Sequence, residues 1–260
     1  MELASIASGS NGNCILVKHN NTNILVDVGI SKKRIVEGLE HFDTKPSDID
    51  AILITHEHAD HIKGLGVYLR AFETEVYTMP KTISYLKNEA DLGPVDYKLF
   101  NTIESETIQI GNVSIKPIHV THDAAEPVCY RFEAEGSSLA VVTDLGCYDS
   151  SLVDNLMDLD AILIESNHDL NMLQVGPYPY NLKMRIWGKN GHLSNDTCSK
   201  LLSEIVSDKM KHIVLGHLSG ENNYPDLAFQ TVRNELESFA DNDLTIKVAA
   251  RKEPSVRIEI

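Results

Sequence analysis

Apolar residues in this chain fall in short alternating or continuous blocks bounded by turn residues, a pattern that predicts many strands interleaved with helices. Residues 2–7, 13–19 and 22–28 read as three strands. The first turn between them, Ser8-Gly-Ser-Asn-Gly-Asn13, holds small residues that permit positive φ, and reads as a hairpin turn or as a backbone-amide rim near a substrate. Leu25-Val-Asp-Val-Gly29 ends a strand in Asp27, after which Ser31 caps a helix to about Leu39. Its Lys32, Lys33 and Arg34 read as solvated cations that can attract phosphate. Asp50-Ala-Ile-Leu-Ile54 is a buried strand by its unbroken β-branched content. Leu65, Val67, Leu69 and Phe72, set among helix formers, predict a helix over 59–72. A strand over 75–78 and a helix from Pro80 to Ala90 follow. Segments 97–100, 105–110 and 112–120 alternate as antiparallel strands do, and further strands fall near 128–134 and 138–143. Residues 176–181 read as a stiff loop, and Ser194 as the cap of a helix to about Val206. A strand over 211–215, a helix near 225–240 and strands near 244–250 and 255–260 close the chain.

The pattern contains an echo. Asp50-Ala-Ile-Leu-Ile54 recurs as Asp160-Ala-Ile-Leu-Ile164, and each copy is preceded by a strand ending in a related turn, Val26-Asp-Val-Gly29 and Thr143-Asp-Leu-Gly146. The repetition suggests two αβ halves related by a pseudo-twofold axis. It aligns His58 with His168, so the loop Glu165-Ser-Asn-His-Asp169 should face the same cleft as the loop after Ile54.

Composition narrows the class. A hydrophobic fraction of 42% over 260 residues supports a full core. No linker, low-complexity tract or long like-charge run divides it, so one α/β domain spanning 1–260 is expected. The N-terminus lacks a basic region followed by an apolar one, and no stretch reaches the ~18–20 apolar residues that span a bilayer. Cys14, Cys129, Cys147 and Cys198 are scattered and read as reduced core thiols, and the expectation is a cytoplasmic protein without a membrane partner. The net charge of −15 argues against a non-specific nucleic-acid coat. Two bound divalent cations would reverse that sign locally, with about four positive charges where a phosphate must sit.

The chemistry concentrates in Thr55-His56-Glu57-His58-Ala59-Asp60-His61, on the loop from strand to helix. Imidazoles at i and i+2 in an extended loop can point at one cation, and the Asp and His that follow can reach a second. This donor set suits Zn or Mn, with Fe also acceptable, over Ca or Mg. The alternative is a polar surface loop. Further ligands must come from elsewhere, and His122, Asp144 and His217 each stand at the carboxyl end of a predicted strand, with Asp144 placed to bridge. His119 alternates with His122, which is preferred because His119 falls inside the strand pattern. His19, His41 and His212 read as structural or solvated. His168 and His192 read as hydrogen-bond donors to ligands, phosphate contacts or a general acid.

The Thr-His-x-His-x-Asp-His string after an apolar strand resembles the metallo-β-lactamase fold superfamily, which implies a four-layer αββα sandwich of two mixed β-sheets flanked by helices. On this resemblance His56, His58 and His122 hold one metal, Asp60, His61 and His217 hold the other, and Asp144 and a hydroxide lie between. A bridging Asp, where true β-lactamases have Cys, resembles hydrolases of phosphodiesters and thioesters. Ala7-Ser-Gly-Ser-Asn-Gly-Asn-Cys14, Thr121-His-Asp-Ala-Ala-Glu-Pro127, Glu165-Ser-Asn-His-Asp169, Gly176-Pro-Tyr-Pro179, Gly191-His-Leu-Ser-Asn195 and His217-Leu-Ser-Gly-Glu-Asn-Asn223 are similar to the YycJ (WalJ/VicX) family. These are bacterial cytoplasmic proteins similar to 5′→3′ exodeoxyribonucleases and linked with DNA repair. Ser166 stands where that family is expected to carry Ala.

The resemblance implies a dinuclear metal-dependent phosphodiesterase, a 5′→3′ exodeoxyribonuclease on DNA that is single-stranded or has a free 5′ end. Asp60 would orient the hydroxide, and His168 or His192 would protonate the leaving 3′-oxygen. Ser10, Asn11, Lys183, Arg185, Lys189 and Asn222 are the expected substrate contacts, and Asp27 is a candidate acceptor for a ligand imidazole. The rival is a small-molecule metallohydrolase: a glyoxalase-II-like thioesterase, a lactonase or a cyclic phosphodiesterase. A third reading, a non-catalytic regulator with a structural metal, fits so complete a donor set poorly.

Overall fold

The computed structural model describes residues 1–104, 106–239 and 243–260. Among these, the strands form two seven-stranded sheets. The first runs β14 (Arg257–Glu259), β1 (Glu2–Ala7), β2 (Cys14–His19), β3 (Thr22–Val26), β4 (Ala51–Leu53), β5 (Glu75–Thr78), β6 (Phe100–Thr102). The second runs β7 (Ile108–Ile110), β8 (Val113–His119), β9 (Val128–Ala134), β10 (Ser137–Val142), β11 (Ala161–Glu165), β12 (His212–Gly216), β13 (Thr245–Val248). The helices are α1 (Lys32–His41), α2 (Ala59–Ile62), α3 (Leu65–Phe72), α4 (Pro80–Asn88), α5 (Ser150–Leu156), α6 (Leu170–Val175), α7 (Tyr180–Trp187), α8 (Asn195–Ile205) and α9 (Pro225–Glu235).

Strands that are apolar on both faces must be covered on both, and this sets the layering. Val17, Ile24 and Leu53 of the first sheet meet Tyr130, Leu139, Leu163 and Val214 of the second in a shared central core. The opposite face of the first sheet, with Leu16, Leu25, Ile52 and Ile54, packs on Ile35 and Leu39 of α1 and Leu65 and Leu69 of α3. Ile162, Ile164 and Leu215 pack on Leu156 of α5, Leu201 and Leu202 of α8 and Val232 of α9. The result is the expected αββα sandwich of two mixed sheets.

The echo is real and extends to every strand. In the first sheet β14, β1, β2 and β3 pair antiparallel in succession, and β3, β4, β5 and β6 pair parallel. In the second, β7 to β10 pair antiparallel and β10 to β13 parallel, in the same sequence of steps. The repeated Asp does the same work twice. Asp50 Oδ2 accepts the Asn23 amide at 2.8 Å, and Asp160 Oδ2 accepts the Ser138 amide at 2.7 Å, each locking the start of the neighbouring parallel strand.

Local departures have local causes. The helix expected over 59–72 breaks between α2 and α3, because Gly64 lies where a Cβ would come 2.0 Å from the Ile30 carbonyl oxygen. Residues 97–99 form a short 3₁₀ turn, and β6 after them joins the first sheet parallel to β5 rather than an antiparallel run. The stiff loop expected at 176–181 gives way at Tyr180 to α7, and α5 and α6 were not foreseen. Expected element ends at 105 and 240 fall outside the described residues. The four cysteines are free thiols, three of them buried. Among the described residues no helix is long and apolar enough to cross a membrane.

Candidate metal centre

Every group at the centre is delivered by the carboxyl end of a strand or by the loop after it. Asp27 follows β3, Thr55 to His61 follow β4, His122 follows β8, Asp144 follows β10, Glu165 ends β11 and His217 follows β12. Asp27, Asp144 and His217 take left-handed backbone conformations, with φ of 60°, 56° and 53°. Such conformations cost free energy outside glycine and collect where side chains must be aimed. The first turn straps the halves together: Asn13 N–H donates to the Asp60 carbonyl at 2.8 Å, and Ser8 Oγ accepts the His217 amide at 2.9 Å. Gly29 is needed beside it, since a Cβ there would lie 1.6 Å from the Asp60 carbonyl oxygen.

Two donor clusters result from the anticipated ligands, and a third group, Asp144, Glu165, His192 and His217, overlaps the second. His56, His58 and His122 bring one nitrogen each within 4.8 Å of the others, and so do the ligand atoms of Asp60, His61, Asp144 and His217. Asp144 spans them. Its Oδ1 lies 3.6 Å from His122 Nε2, while its Oδ2 lies 3.0 Å from His61 Nε2 and 3.7 Å from His217 Nε2. Asp60 Oδ2 is 3.5 Å from His61 Nε2 and 3.4 Å from His217 Nε2.

Acceptors fix which nitrogen each ring presents. His61 Nδ1 lies 2.7 Å from Asp27 Oδ2, His217 Nδ1 2.6 Å from Glu165 Oε2, and His122 Nδ1 2.9 Å from the Gly191 carbonyl. Carboxylates and carbonyls can only accept, so each Nδ1 carries a proton and each Nε2 faces inward, the nitrogen left to take either a second proton or a cation. His56 Nδ1 is 3.0 Å from Thr55 Oγ1, which itself donates to Asp27 at 2.9 Å. His58 is the exception, with Nδ1 facing His122 Nε2 at 3.3 Å.

The electrostatics call for positive charge. Burial, reinforced by His61, holds His56 well below the ordinary imidazole range, and burial also lowers His122. Both are therefore neutral, the form that coordinates metal. Burial opposes protonation of His61 and His217 too, but Asp144, Asp27 and Asp60 outweigh it at His61, and Asp144, Asp60 and Glu165 push His217 up to about 10. Asp144 and Asp60 stay ionised despite burial, held by His217 and His61. Protons and cations thus compete for the same oxygens. The buried His56 Nε2 makes no hydrogen bond at all, which is the mark of an atom waiting for a cation.

The model of the metallo-beta-lactamase superfamily matches residues 7–217. The exodeoxyribonuclease WalJ of Streptococcus pneumoniae is 39% identical over 244 residues, covering 94% of this chain and 90% of that one. The exodeoxyribonuclease YycJ of Bacillus anthracis is 35% identical over 237 residues, covering 91% and 89%. This chain belongs to the metallo-beta-lactamase superfamily, in the branch of WalJ and YycJ. The zinc-bound PqqB of Methylobacterium extorquens superposes along the full length of both chains with a TM-score of 0.76 at 17% identity, which speaks for the fold alone. Membership of the superfamily implies divalent-metal binding, and the donor set here fits it.

The other anticipated residues are spread around the centre. Ser10, Arg185 and His192 line a cavity of about 260 Å³. Arg185 Nε is tied to Asp123 Oδ2 at 2.5 Å, and Lys183 Nζ to the Gln174 carbonyl at 2.8 Å. Asn11 and Lys189 are exposed, and Asn222 is fully buried. His119 lies exposed at the end of β8, outside both clusters. His168 is buried, with Nδ1 3.3 Å from Asn167 Oδ1, and burial pushes it down to about 4. Asp27 fills the role anticipated for it.

Sequence reasoning missed the role of Glu165. Fully buried, it accepts from His217, from His192 Nδ1 at 2.9 Å and from the Leu193 amide at 2.7 Å. The one signal was the echo, which put this carboxylate at the end of the second Asp-Ala-Ile-Leu-Ile strand.

Proposed function

We propose that this chain is a dinuclear metal-dependent exodeoxyribonuclease that degrades DNA from a free 5′ end. The observation that carries the metal chemistry is Asp144, with one oxygen toward each donor cluster. DNA as substrate is supported by the likeness to WalJ and YycJ along nearly the whole chain, and the 5′→3′ direction by the motifs shared with that family.

His56, His58 and His122 would hold one cation, Asp60, His61 and His217 the other, and Asp144 both. Two divalent cations of the zinc or manganese class, with iron also fitting, supply an acidified water and positive charge against the phosphate. Asp60 fixes the approach of the attacking oxygen from its place between His61 and His217. Ser10 and Arg185, which line the cavity, and Asn11, Lys183 and Lys189 would take flanking phosphates and sugar. Asn222 would contribute through the shape of its loop, its side chain being buried. The proton for the leaving 3′-oxygen falls to His192. Its side chain is 20% exposed at the cavity, and although burial opposes protonation, Glu165 outweighs it and raises His192 above the ordinary imidazole value. His168, neutral at pH 7, is the weaker acid candidate.

The test incubates metal-loaded protein with 5′-labelled single-stranded DNA, beside a thioester and a lactone. Release of labelled mononucleotides, abolished in His58→Ala, is expected, together with about two transition-metal ions per chain by elemental analysis. Thioester or lactone turnover without DNA cleavage would overturn the reading in favour of a small-molecule hydrolase.

A further inference from the structure

The two donor clusters are unequally supplied with negative charge. The second holds Asp60 beside Asp144, and the carboxylates of Asp27 and Glu165 stand behind its rings. The first consists of three imidazoles, with one oxygen of Asp144 toward it. His61, His217 and His122 each have an acceptor on the outward nitrogen, and His56 has Thr55. His58 is turned the other way round. Its Nδ1 lies 3.3 Å from His122 Nε2, which matches the roughly 3.3–3.4 Å between two nitrogens bound to one tetrahedral zinc at about 2.0–2.1 Å each. Nδ1 is therefore the metal-facing nitrogen of His58, and Nε2 points away.

Asp123 stands at that outward nitrogen. Its Oδ1 lies 3.8 Å from His58 Nε2 and 3.4 Å from His122 Nε2, so its charge falls on the charge-poor cluster. Its Oδ2 accepts from Arg185 Nε at 2.5 Å. The backbone fixes this placement. The Asp123 amide donates to the Asn190 carbonyl at 3.1 Å, and the Ala125 amide donates to Glu57 Oε1 at 2.7 Å. The loop that carries Asp123 is thus stitched to the residue next to His58.

Stability does not account for the ion pair. The Arg185 side chain is 58% exposed and that of Asp123 29%, and a pair so open to water contributes little to folding. Its location is more telling, since Asp123 and Arg185 both line the cavity that contains His192. With Nε spent on Asp123, Arg185 keeps the N–H groups of its two NH₂ arms for an incoming anion, in a fork that suits a phosphate. A cation on His58 Nδ1 leaves the proton on Nε2 and strengthens it as a donor, which draws Asp123 Oδ1 across the remaining gap.

We propose that Asp123 is a positioning residue that joins the first metal to the substrate. Oδ1 is the acceptor that orients His58 and offsets the charge of the first cation, and Oδ2 aims the Arg185 guanidinium at the phosphate in the cavity. The part played by Arg185 rests on the exodeoxyribonuclease reading above, and the part played by His58 rests on the donor clusters alone.

Zinc-loaded protein is titrated with a chromophoric chelator as wild type, Asp123→Asn, Glu165→Gln and the double variant. In Asp123→Asn one ion is held about 10-fold more weakly and the other as in the wild type. In the double variant both are weakened, because Asp123 serves His58 and Glu165 serves His217. Thermal melting of metal-free Asp123→Asn stays within about 2 °C of the wild type, which a merely structural carboxylate would not allow. On 5′-labelled DNA at saturating metal, Arg185→Gln raises KM about 10-fold, with both metal affinities within about 3-fold of the wild type. Asp123→Asn raises KM as much and lowers kcat as well. Wild-type affinity for both ions in Asp123→Asn, or one ion still held at wild-type strength in the double variant, overturns the pairing with His58. Unchanged KM in both Arg185→Gln and Asp123→Asn overturns the link to substrate while leaving the nuclease standing. A wild-type protein that cleaves no DNA, beside the expected metal loss in Asp123→Asn, removes the nuclease reading and the part of Arg185, and supports the acceptor role of Asp123 toward His58.

Discussion

Replacing Glu165 by Gln changes one atom and removes one charge, yet it strikes the point where the second sheet's site residues are tied together. Glu165 Oε2 accepts from His217 Nδ1 at 2.6 Å and His192 Nδ1 at 2.9 Å, while Oε1 accepts the Leu193 amide at 2.7 Å. Every partner is a donor. A glutamine offers one accepting oxygen, so in either orientation its NH₂ faces an N–H. Hydrogen bonds to a buried charge contribute about 1.5–3 kcal/mol each, and breaking a buried pair costs about 3–5 kcal/mol, so a loss of about 3 kcal/mol is expected in the metal-free protein. The carboxyl gives a matching figure: although burial opposes it, His192 and His217 hold Glu165 at about 2 instead of 4.5, equivalent to about 3 kcal/mol. The sign follows. A depressed carboxylate stabilises above its unfolded value, so the gap between wild type and variant is full at pH 7 and closes as pH falls from 4.5 toward 2. Thermal melting of the metal-free proteins should fall by about 6–12 °C at pH 7. Competition with a chromophoric chelator should find one metal bound about 10- to 100-fold more weakly, since His217 loses the acceptor that aims it, while the site of His56, His58 and His122 holds. Wild-type affinity at both sites, or equal weakening of both, would refute the assignment of Glu165 to His217.

Three further outcomes follow from the same geometry. Asp144→Asn removes charge from the group that faces both clusters, and should reduce bound metal from about two ions per chain to about one or fewer by elemental analysis, with DNA cleavage falling at least ~100-fold. Gly29→Ala places a methyl 1.6 Å from the Asp60 carbonyl oxygen, so soluble yield and bound metal should both collapse, whereas unaltered yield would mean the loop has slack. His168, pushed down to about 4 by burial, binds fewer protons folded than unfolded between pH 6.5 and 4, so stability falls with pH across that window by up to about 3 kcal/mol. Urea midpoints at pH 7 and pH 5 should differ less in His168→Gln than in the wild type.

The layered fold and most of the donor set were legible because both depend on local pattern. Apolar strands announce themselves by β-branched runs, and each donor stands at a strand end where polarity interrupts the run. What stayed hidden depends on tertiary contact. Gly64 breaks the helix because Ile30 passes beside it, which no local sequence reveals. β6 alternates like its neighbours, but its partner is β5 across α4, so periodicity assigned it to the wrong kind of pairing. α7 buries no residue and so lacks the one-sided pattern that marks a packed helix. Glu165 looked like any carboxylate after a strand, because a hydrogen-bond role with His217, 52 residues on, leaves no periodic trace.

The duplicated topology also explains why there is one centre and not two. β3 and β10 are equivalent strands, and each ends in a left-handed Asp. Asp27 turns to His61 and supports it, while Asp144 turns into the space between the clusters. After the equivalent strands β4 and β11, the positions of His56 and His58 are taken by Ser166 and His168. Ser166 Oγ is spent on Asn195 Oδ1 at 2.6 Å, and His168 is buried and faces Asn167, so the second loop offers no pair of inward nitrogens. It offers Glu165 instead, which aims His217 much as Asp27 aims His61. Each half thus contributes one carboxylate that orients an imidazole, and only the first contributes a full donor loop. The asymmetry leaves the outer side of the centre to α7 and the cavity beside His192, where a strand of DNA has room to arrive.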